Sequence, residues 1–317
     1  MPCFKTIPKK LEDNFSGSQA CVKQTQNMES QMPNLKPIRD PKNKIEKKVF
    51  CIIGDERAYR SKSPGLFSAM MVRYGVDAAY VPFMVAPENL EAAVNSLKVL
   101  NIVGANVTIP YKEKVLPYLD VLSEGATIIG SINTIARDGE SLKGYNTNAI
   151  GFMDTLKEKK FDAENKTAVV VGSGGAALAV VFILNWLKAK SIIITDPDDS
   201  KTKEIAQQIG GESHPLDEMV SGSKIAANIV VNATPASNAD EFPGLKELVN
   251  QVNLQDCELM IDLNVGRAHS VWKEVAEKKE IPFIDGMLPL AHQAKRTLAL
   301  WTGIQADPTE FIDVLKN

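Results

Sequence analysis

From Val49 onward, short apolar runs bounded by glycine alternate with stretches whose apolar residues recur at helical spacing. Val49-Phe-Cys-Ile-Ile has the pattern of a buried strand ending at Gly54. Ser63 to Tyr74 predicts a helix stopped by Gly75, and Ala79-Tyr-Val-Pro-Phe-Met-Val predicts a second strand. Pro87 to Leu100 fits a helix with Leu90, Val94 and Leu97 on one face, and Val103-Gly-Ala-Asn-Val-Thr is a third strand. This alternation favours a parallel sheet. The second half repeats it more cleanly. Thr167-Ala-Val-Val-Val-Gly, Ser191-Ile-Ile-Ile-Thr-Asp, Ile229-Val-Val-Asn and Leu259-Met-Ile-Asp predict strands, the first apolar on both faces. Ala176 to Leu187 and Lys201 to Ile209 predict helices, the second ended by Gly210-Gly211. Strands and helices at this spacing imply a doubly wound parallel sheet. A last stretch, Leu288 to Leu315, reads as helical, and no internal repeat is present.

Composition adds limits. A chain of 317 residues has room for two domains. A net charge of -3 argues against an electrostatic grip on nucleic acid. No apolar run reaches the roughly 18–20 residues of a membrane span. Met1 to Phe15 lacks the apolar core of a secretory signal. Cys3, Cys21, Cys51 and Cys257 are scattered without metal spacing and read as reduced thiols of a cytoplasmic protein. His214, His269 and His292 lie far apart and suggest no metal site. Residues 1–47 are rich in Lys, Asn, Gln and Pro and read as an irregular extension.

Gly172-Ser173-Gly174-Gly175-Ala176 lies between a predicted strand and a predicted helix. Small residues there let a pyrophosphate approach the helix N-terminus, where free N–H groups favour an anion. A plain tight turn is the alternative. Asp196 follows Gly172 by 24 residues, at the end of the next strand, where a dinucleotide fold sets a carboxylate against ribose hydroxyls. Pro197-Asp198-Asp199-Ser200 adds negative charge and no arginine. The expected cofactor is therefore NAD, with NADP disfavoured by repulsion of its 2′-phosphate; a solvated acidic turn is the alternative.

Polar motifs at the predicted strand ends, where ligands bind in an open α/β sheet, suggest a small-molecule site, with turn chemistry or a helix cap as the alternative for any one of them. They are Ser61-Lys-Ser-Pro, Gly104-Ala-Asn-Val-Thr-Ile-Pro-Tyr-Lys112, Gly130-Ser-Ile-Asn-Thr-Ile and Gly144-Tyr-Asn-Thr-Asn-Ala-Ile-Gly151. In this order before the glycine-rich turn, and with Asn232-Ala-Thr-Pro and Gln293 before Leu300-Trp-Thr-Gly, they resemble the shikimate and quinate/shikimate dehydrogenases over about residues 49–305. The resemblance implies a two-domain α/β enzyme. Residues 48–152 with 288–317 would form a substrate-binding domain, and residues 153–287 a Rossmann-type domain.

Carried over by motif, Ser61 and Ser63 resemble the pair that binds the substrate carboxylate. Asn106, Thr108, Asn133, Thr147 and Gln293 resemble further substrate contacts, and Lys112 the catalytic lysine. Gly172, Ser173, Gly174, Gly175, Ala176, Asp196, Asn232, Ala233, Thr234 and Gly286 fall on the cofactor side. The implied reaction is hydride transfer between a nicotinamide and a cyclic hydroxy acid such as shikimate or quinate. The departures are specific. Asn148 stands where the family has the Asp that pairs with the lysine, and Val265 where it has a tyrosine. Phe67-Ser68 replaces His-Asn, Ala236-Ser237 replaces Gly-Met, and Asp55 to Arg60 carries one residue more.

An amide at 148 can hydrogen-bond but cannot take a proton near neutral pH. Losing an acid–base partner typically costs about 10²–10⁴ in rate, while removing a negative charge lowers the lysine pKa. Two readings stay open: an active dehydrogenase, or a weak or inactive relative that binds NAD and a ligand for regulation.

Overall fold

The computed structural model describes residues 47–221, 225–238, 240–242, 244–267 and 269–316. The expected irregular extension therefore lies, except for Lys47, outside the described residues. Six strands build the first sheet: β1 (Lys48–Gly54), β2 (Ala78–Met84), β3 (Gly104–Val107), β4 (Val121–Leu122), β5 (Thr134–Asp138) and β6 (Ser141–Tyr145), in the order β2-β1-β3-β5-β6-β4. The helices among them are α1 (Ser63–Arg73), α2 (Leu90–Val99), α3 (Glu124–Ile129) and α4 (Thr147–Glu158). Leu90, Val94 and Leu97 are the buried face of α2, as its spacing requires.

The expectation of a parallel first sheet holds for β1 with β2 and β3, and for β4 with β6. It fails at β5, which runs antiparallel to β3 and to β6. The cause is local. Asp138 pairs with Ser141, so only Gly139 and Glu140 turn the chain, and a crossover helix cannot fit. Gly139 has φ +59°, the positive value such hairpin turns favour.

The second sheet is wholly parallel: β7 (Thr167–Val171), β8 (Ser191–Thr195), β9 (Glu212–Ser213), β11 (Ile229–Asn232), β13 (Leu259–Asp262) and β14 (Phe283–Ile284), ordered β14-β13-β11-β7-β8-β9. Counted within the sheet this is 3-2-1-4-5-6, the dinucleotide-binding order, with its switch point between β7 and β11. β10 (Ile225–Ala226) and β12 (Val252–Asn253) pair separately. α5 (Gly175–Trp186), α6 (Asp199–Gln208), α7 (Leu216–Ser221), α8 (Leu245–Gln251) and α9 (Val271–Lys278) complete this half. Strand residues alternate between two cores. Val170, Val231 and Ile261 join α5 and Phe152 of α4 on one face, and Val169, Val230 and Met260 join Leu248 and Trp272 on the other.

The predicted C-terminal helix is two helices, α10 (Met287–Thr302) and α11 (Pro308–Lys316). Gly303, at φ +75°, ends the first, and Pro308 opens the second. α10 returns to the first sheet. Its Trp301 donates from Nε1 to the Ile135 carbonyl at 2.9 Å and packs on Phe50 and Phe67, with ring centroids 4.9 and 5.0 Å away. A Cβ on Gly104 would lie 2.2 Å from that indole nitrogen, so the strand must carry glycine there. Phe67 also stacks on Tyr80 at 5.3 Å, so the substitution at 67 noted in the sequence is a core residue.

Candidate active site

The C-terminal ends of β1 and β3 and the chain that follows them carry the first group of site residues. Asp55 caps a 3-10 turn, Glu56–Arg60, by accepting from Arg57 N at 3.0 Å. Ser61 Oγ accepts from Ser63 N at 3.2 Å. Ser63 is buried at the start of α1, beside the Tyr80 hydroxyl. Burial holds the Tyr80 phenol well above its ordinary pKa, so it stays a donor and bonds Asn106 Oδ1 at 2.7 Å. Asn106 Nδ2 donates to the Asn133 carbonyl at 3.0 Å and to Thr134 Oγ1 at 3.2 Å. Both ends of the Asn106 amide are thus engaged within the chain. Thr108 packs its methyl over Gly54, where a Cβ would come within 2.4 Å of it.

The second group gathers around Asn133, which precedes β5. Asn133 Oδ1 accepts from Thr147 N at 2.7 Å. Its Nδ2 lies 2.8 Å from Thr147 Oγ1, 3.0 Å from Gln293 Oε1 and 3.1 Å from Asn148 Oδ1. Thr147 Oγ1 lies 2.9 Å from Thr297 Oγ1 and 3.1 Å from Thr134 Oγ1. The structure thus joins Asn106, Asn133, Thr147, Asn148 and Gln293 in one network from four parts of the chain. Helix placement explains how. Asn146 caps α4 through its Oδ1, accepting from Ala149 N at 3.0 Å, which sets Thr147 and Asn148 in the first turn. α4 crosses α10 at Gly151, where a Cβ would lie 2.7 Å from Gln293 N. That contact brings Gln293 to Asn133. Tyr80, Thr134 and Thr297 belong to the network and were not singled out in the sequence. Thr134 adjoins Asn133, and Thr297 follows Gln293 by one helical turn, which is the signal that marks it.

Lys112 is partly open to solvent and makes no hydrogen bond or ion pair from its ammonium among the described residues. Desolvation pulls its pKa from 10.5 down to about 8, against a smaller upward pull from Glu113. Its backbone carbonyl accepts from Ile132 N at 2.8 Å, which sets Lys112 beside the Asn133 segment. Its stem lies against the glycine turn: a Cβ on Gly175 would be 3.4 Å from Lys112 Cδ and 2.8 Å from Ser131 Oγ. No hydrogen bond joins Lys112 to Asn148.

On the other side, Gly172 has φ +127°, and a Cβ on it would meet Ala233 C at 2.8 Å and Thr234 N at 3.0 Å. Gly174 caps α5 with no side-chain bond, which leaves the first N–H groups of a twelve-residue helix available to an anion. These features fit the pyrophosphate of a dinucleotide. Asn232 is committed to the loop itself: Nδ2 donates to Ala236 O and Asp262 Oδ1 at 2.8 and 2.9 Å, and Oδ1 accepts from Thr234 Oγ1 at 2.8 Å. Asn264 donates to Thr234 O at 2.9 Å and holds Gly286 N through its carbonyl at 3.0 Å. Asn264 was not anticipated. Asp196 Oδ1 accepts from Asp198 N at 2.9 Å, and Asp198 caps α6 and pairs with Lys201 at 2.9 Å.

Residues 52–135 match the family model of the shikimate dehydrogenase substrate binding domain, and residues 155–285 that of shikimate / quinate 5-dehydrogenase. A shikimate dehydrogenase (NADP(+)) of Caldanaerobacter subterraneus is 35% identical over 265 residues, 81% of this chain and 92% of the relative. The chain belongs to the shikimate/quinate dehydrogenase family. This is a family of nicotinamide-dependent oxidoreductases. The like-named enzyme of Methanocaldococcus jannaschii is 34% identical over 280 residues, 85% of this chain and 95% of its own. A crystal structure of a shikimate dehydrogenase with NADP+ superposes with TM-score 0.74 at 31% identity, covering 85% of this chain and 95% of that one. The Thermus thermophilus enzyme, solved with NADP(H) and shikimate, gives TM-score 0.72 at 25% identity over 85% and 98%.

The expectation of NAD in preference to NADP is overturned. The curated relatives are named as NADP(+) enzymes, and these two solved relatives hold NADP+ or NADP(H). The sequence shows the acidic turn only as formal charge. Two of its three carboxylates are engaged, Asp196 within the turn and Asp198 in a helix cap and an ion pair with Lys201, whose ammonium offsets part of the charge. Among the described residues no helix is long and apolar enough to cross a membrane.

Proposed function

We propose that this chain catalyses hydride transfer between NADP(H) and shikimate or a close relative such as quinate. The observation that carries the reading is the desolvated Lys112, which borders both the glycine turn and the amide–hydroxyl network. Residues 48–152 and 288–317 would hold the substrate, and residues 153–287 the cofactor. In support, Trp301 and Gln293 of α10 pack on the first sheet and its network.

The bound nicotinamide would supply or accept the hydride. Gly172, Ser173, Gly174, Gly175 and Ala176 would receive its pyrophosphate at the start of α5. Ala233, Thr234 and Gly286 would shape the wall beside it, held by Asn232 and Asn264. Ser61 and Ser63 would bind the substrate carboxylate. Thr108, Thr147 and Gln293 would meet ring hydroxyls, with Asn106 and Asn133 fixing them from behind. Lys112 would exchange the proton of the reacting hydroxyl, and a pKa of about 8 lets it do so near neutral pH.

The test is direct. Purified protein with NADP+ and shikimate or quinate should generate reduced nicotinamide, followed by absorbance. Binding of NADP+ without turnover of any cyclic hydroxy acid would favour a regulatory, non-catalytic role.

A further inference from the structure

The hydrogen bonds around Asn133 have a direction. A backbone N–H can only donate, and that of Thr147 donates to Asn133 Oδ1 at 2.7 Å. This fixes which end of the Asn133 amide is oxygen. Nδ2 at the other end can also only donate; besides Thr147 Oγ1 at 2.8 Å, which can itself donate to Gln293 Oε1 at 3.2 Å, it faces Asn148 Oδ1 at 3.1 Å and Gln293 Oε1 at 3.0 Å. Both of those amides are therefore held with oxygen toward Asn133. Turning either over would set two NH2 groups against each other. Asn148 Nδ2 and Gln293 Nε2 are left pointing their donors elsewhere, and neither has an acceptor among the described residues. Lys112, whose carbonyl is bonded to the residue before Asn133, carries a third donor with no acceptor there.

We infer that Asn148 determines specificity for the oxidation state of the ligand: its amide offers a donor to the oxygen on the reacting carbon, so the site takes a cyclic keto acid in preference to the corresponding alcohol. The inference rests on the dehydrogenase reading above. A carbonyl oxygen only accepts, and one set between Asn148 Nδ2 and Lys112 would satisfy both. A hydroxyl must also place its own proton, and none of these three donor groups accepts it while the lysine is charged. One atom decides the outcome. A carboxylate at 148 would keep one oxygen on Asn133 Nδ2 and turn the other, now an acceptor, toward the ligand. It would attract a hydroxyl and repel a carbonyl.

The experiment is calorimetric titration, without cofactor, of the wild type, Asn148→Asp and Asn148→Ala with shikimate and with the ketone that its oxidation gives. The wild type should bind the ketone about fivefold more tightly, the worth of one net hydrogen bond. Asn148→Asp should swing the ratio by at least about tenfold toward the alcohol. Asn148→Ala, which removes the donor and adds no charge, should bind the two about equally. A ratio that is the same in all three proteins, or a wild type that prefers the alcohol, overturns the inference and leaves the dehydrogenase reading standing. If the aspartate variant does not fold, as judged by circular dichroism, the alanine variant decides alone. Binding of neither ligand by the wild type would instead refute the dehydrogenase reading, and this inference with it.

Discussion

Replacing Lys112 by methionine should make the protein more stable at neutral pH while removing its activity. Methionine keeps most of the length and apolar stem of lysine and discards the charge. The lysine pKa falls from 10.5 to about 8 on folding, because the site desolvates the ammonium. At about 1.4 kcal/mol per pH unit, holding that charge costs the native state about 3 kcal/mol at pH 7. Partial exposure of the residue makes this an upper value. The sign follows from proton counts. Below about pH 8 both folded and unfolded chains carry the proton, and the cost is present in full. Between about 8 and 10.5 the unfolded chain holds more protons, so the lysine contribution to stability rises with pH and the cost disappears. Urea unfolding of wild type and Lys112→Met at pH 7 and again near pH 10 isolates the effect. The variant should gain about 1–3 kcal/mol at the lower pH and little at the higher. Its turnover of shikimate should fall by about 10²–10⁴. A variant no more stable than wild type at pH 7, or one with the same advantage at both pH values, would refute the desolvation argument.

Three further outcomes are expected. Gly151→Ala places a methyl 2.7 Å from Gln293 N; it should cost about 1–3 kcal/mol by overpacking and raise the KM for shikimate, and an unchanged KM would show that the α4–α10 crossing does not position Gln293. Gly172→Ala forces a side chain onto a φ of +127° and into Ala233; fluorescence titration should show NADP+ binding at least about tenfold weaker, given a strain of about 1–3 kcal/mol, and equal affinity would count against the turn as a phosphate site. Arg296→Ala removes both bonds to Asp154, at 2.8 and 3.0 Å; denaturation should show a loss of about 2–3 kcal/mol, because the largely covered carboxylate is left unpaired, and a loss under about 0.5 kcal/mol would mean that water replaces the guanidinium.

The second sheet was the legible half because its signals are local. Each strand there is a continuous apolar run, and Gly172 to Ala176 follows its strand at once. The hairpin of the first sheet was harder to see. Ser141-Leu-Lys-Gly-Tyr does alternate, with Leu142 and Gly144 buried. Yet the polar motifs on either side draw attention as ligand-site candidates, and neither the strand pair nor the start of α4 stands out among them. The candidate site residues can be named from their motifs, but their grouping cannot. Asn133 and Gln293 meet only because α4 and α10 cross at a glycine. Cofactor preference failed for a different reason. A string of aspartates specifies formal charge, whereas what a phosphate meets depends on which carboxylates are already engaged, and Asp196 and Asp198 are.

The position of Trp301 bears on the order in which the chain is made. Phe50, Phe67 and Gly104 leave a ribosome long before the indole that packs against them. At about 5–20 residues per second, the first sheet waits roughly 10–50 s with that face uncovered. The second half, whose strands pair with one another and close around their own helices, can fold during that interval. A growing chain thus carries a sticky, unfinished half beside a finished one. Shielding of that aromatic face until release should govern how much of the protein reaches the native state in a cell.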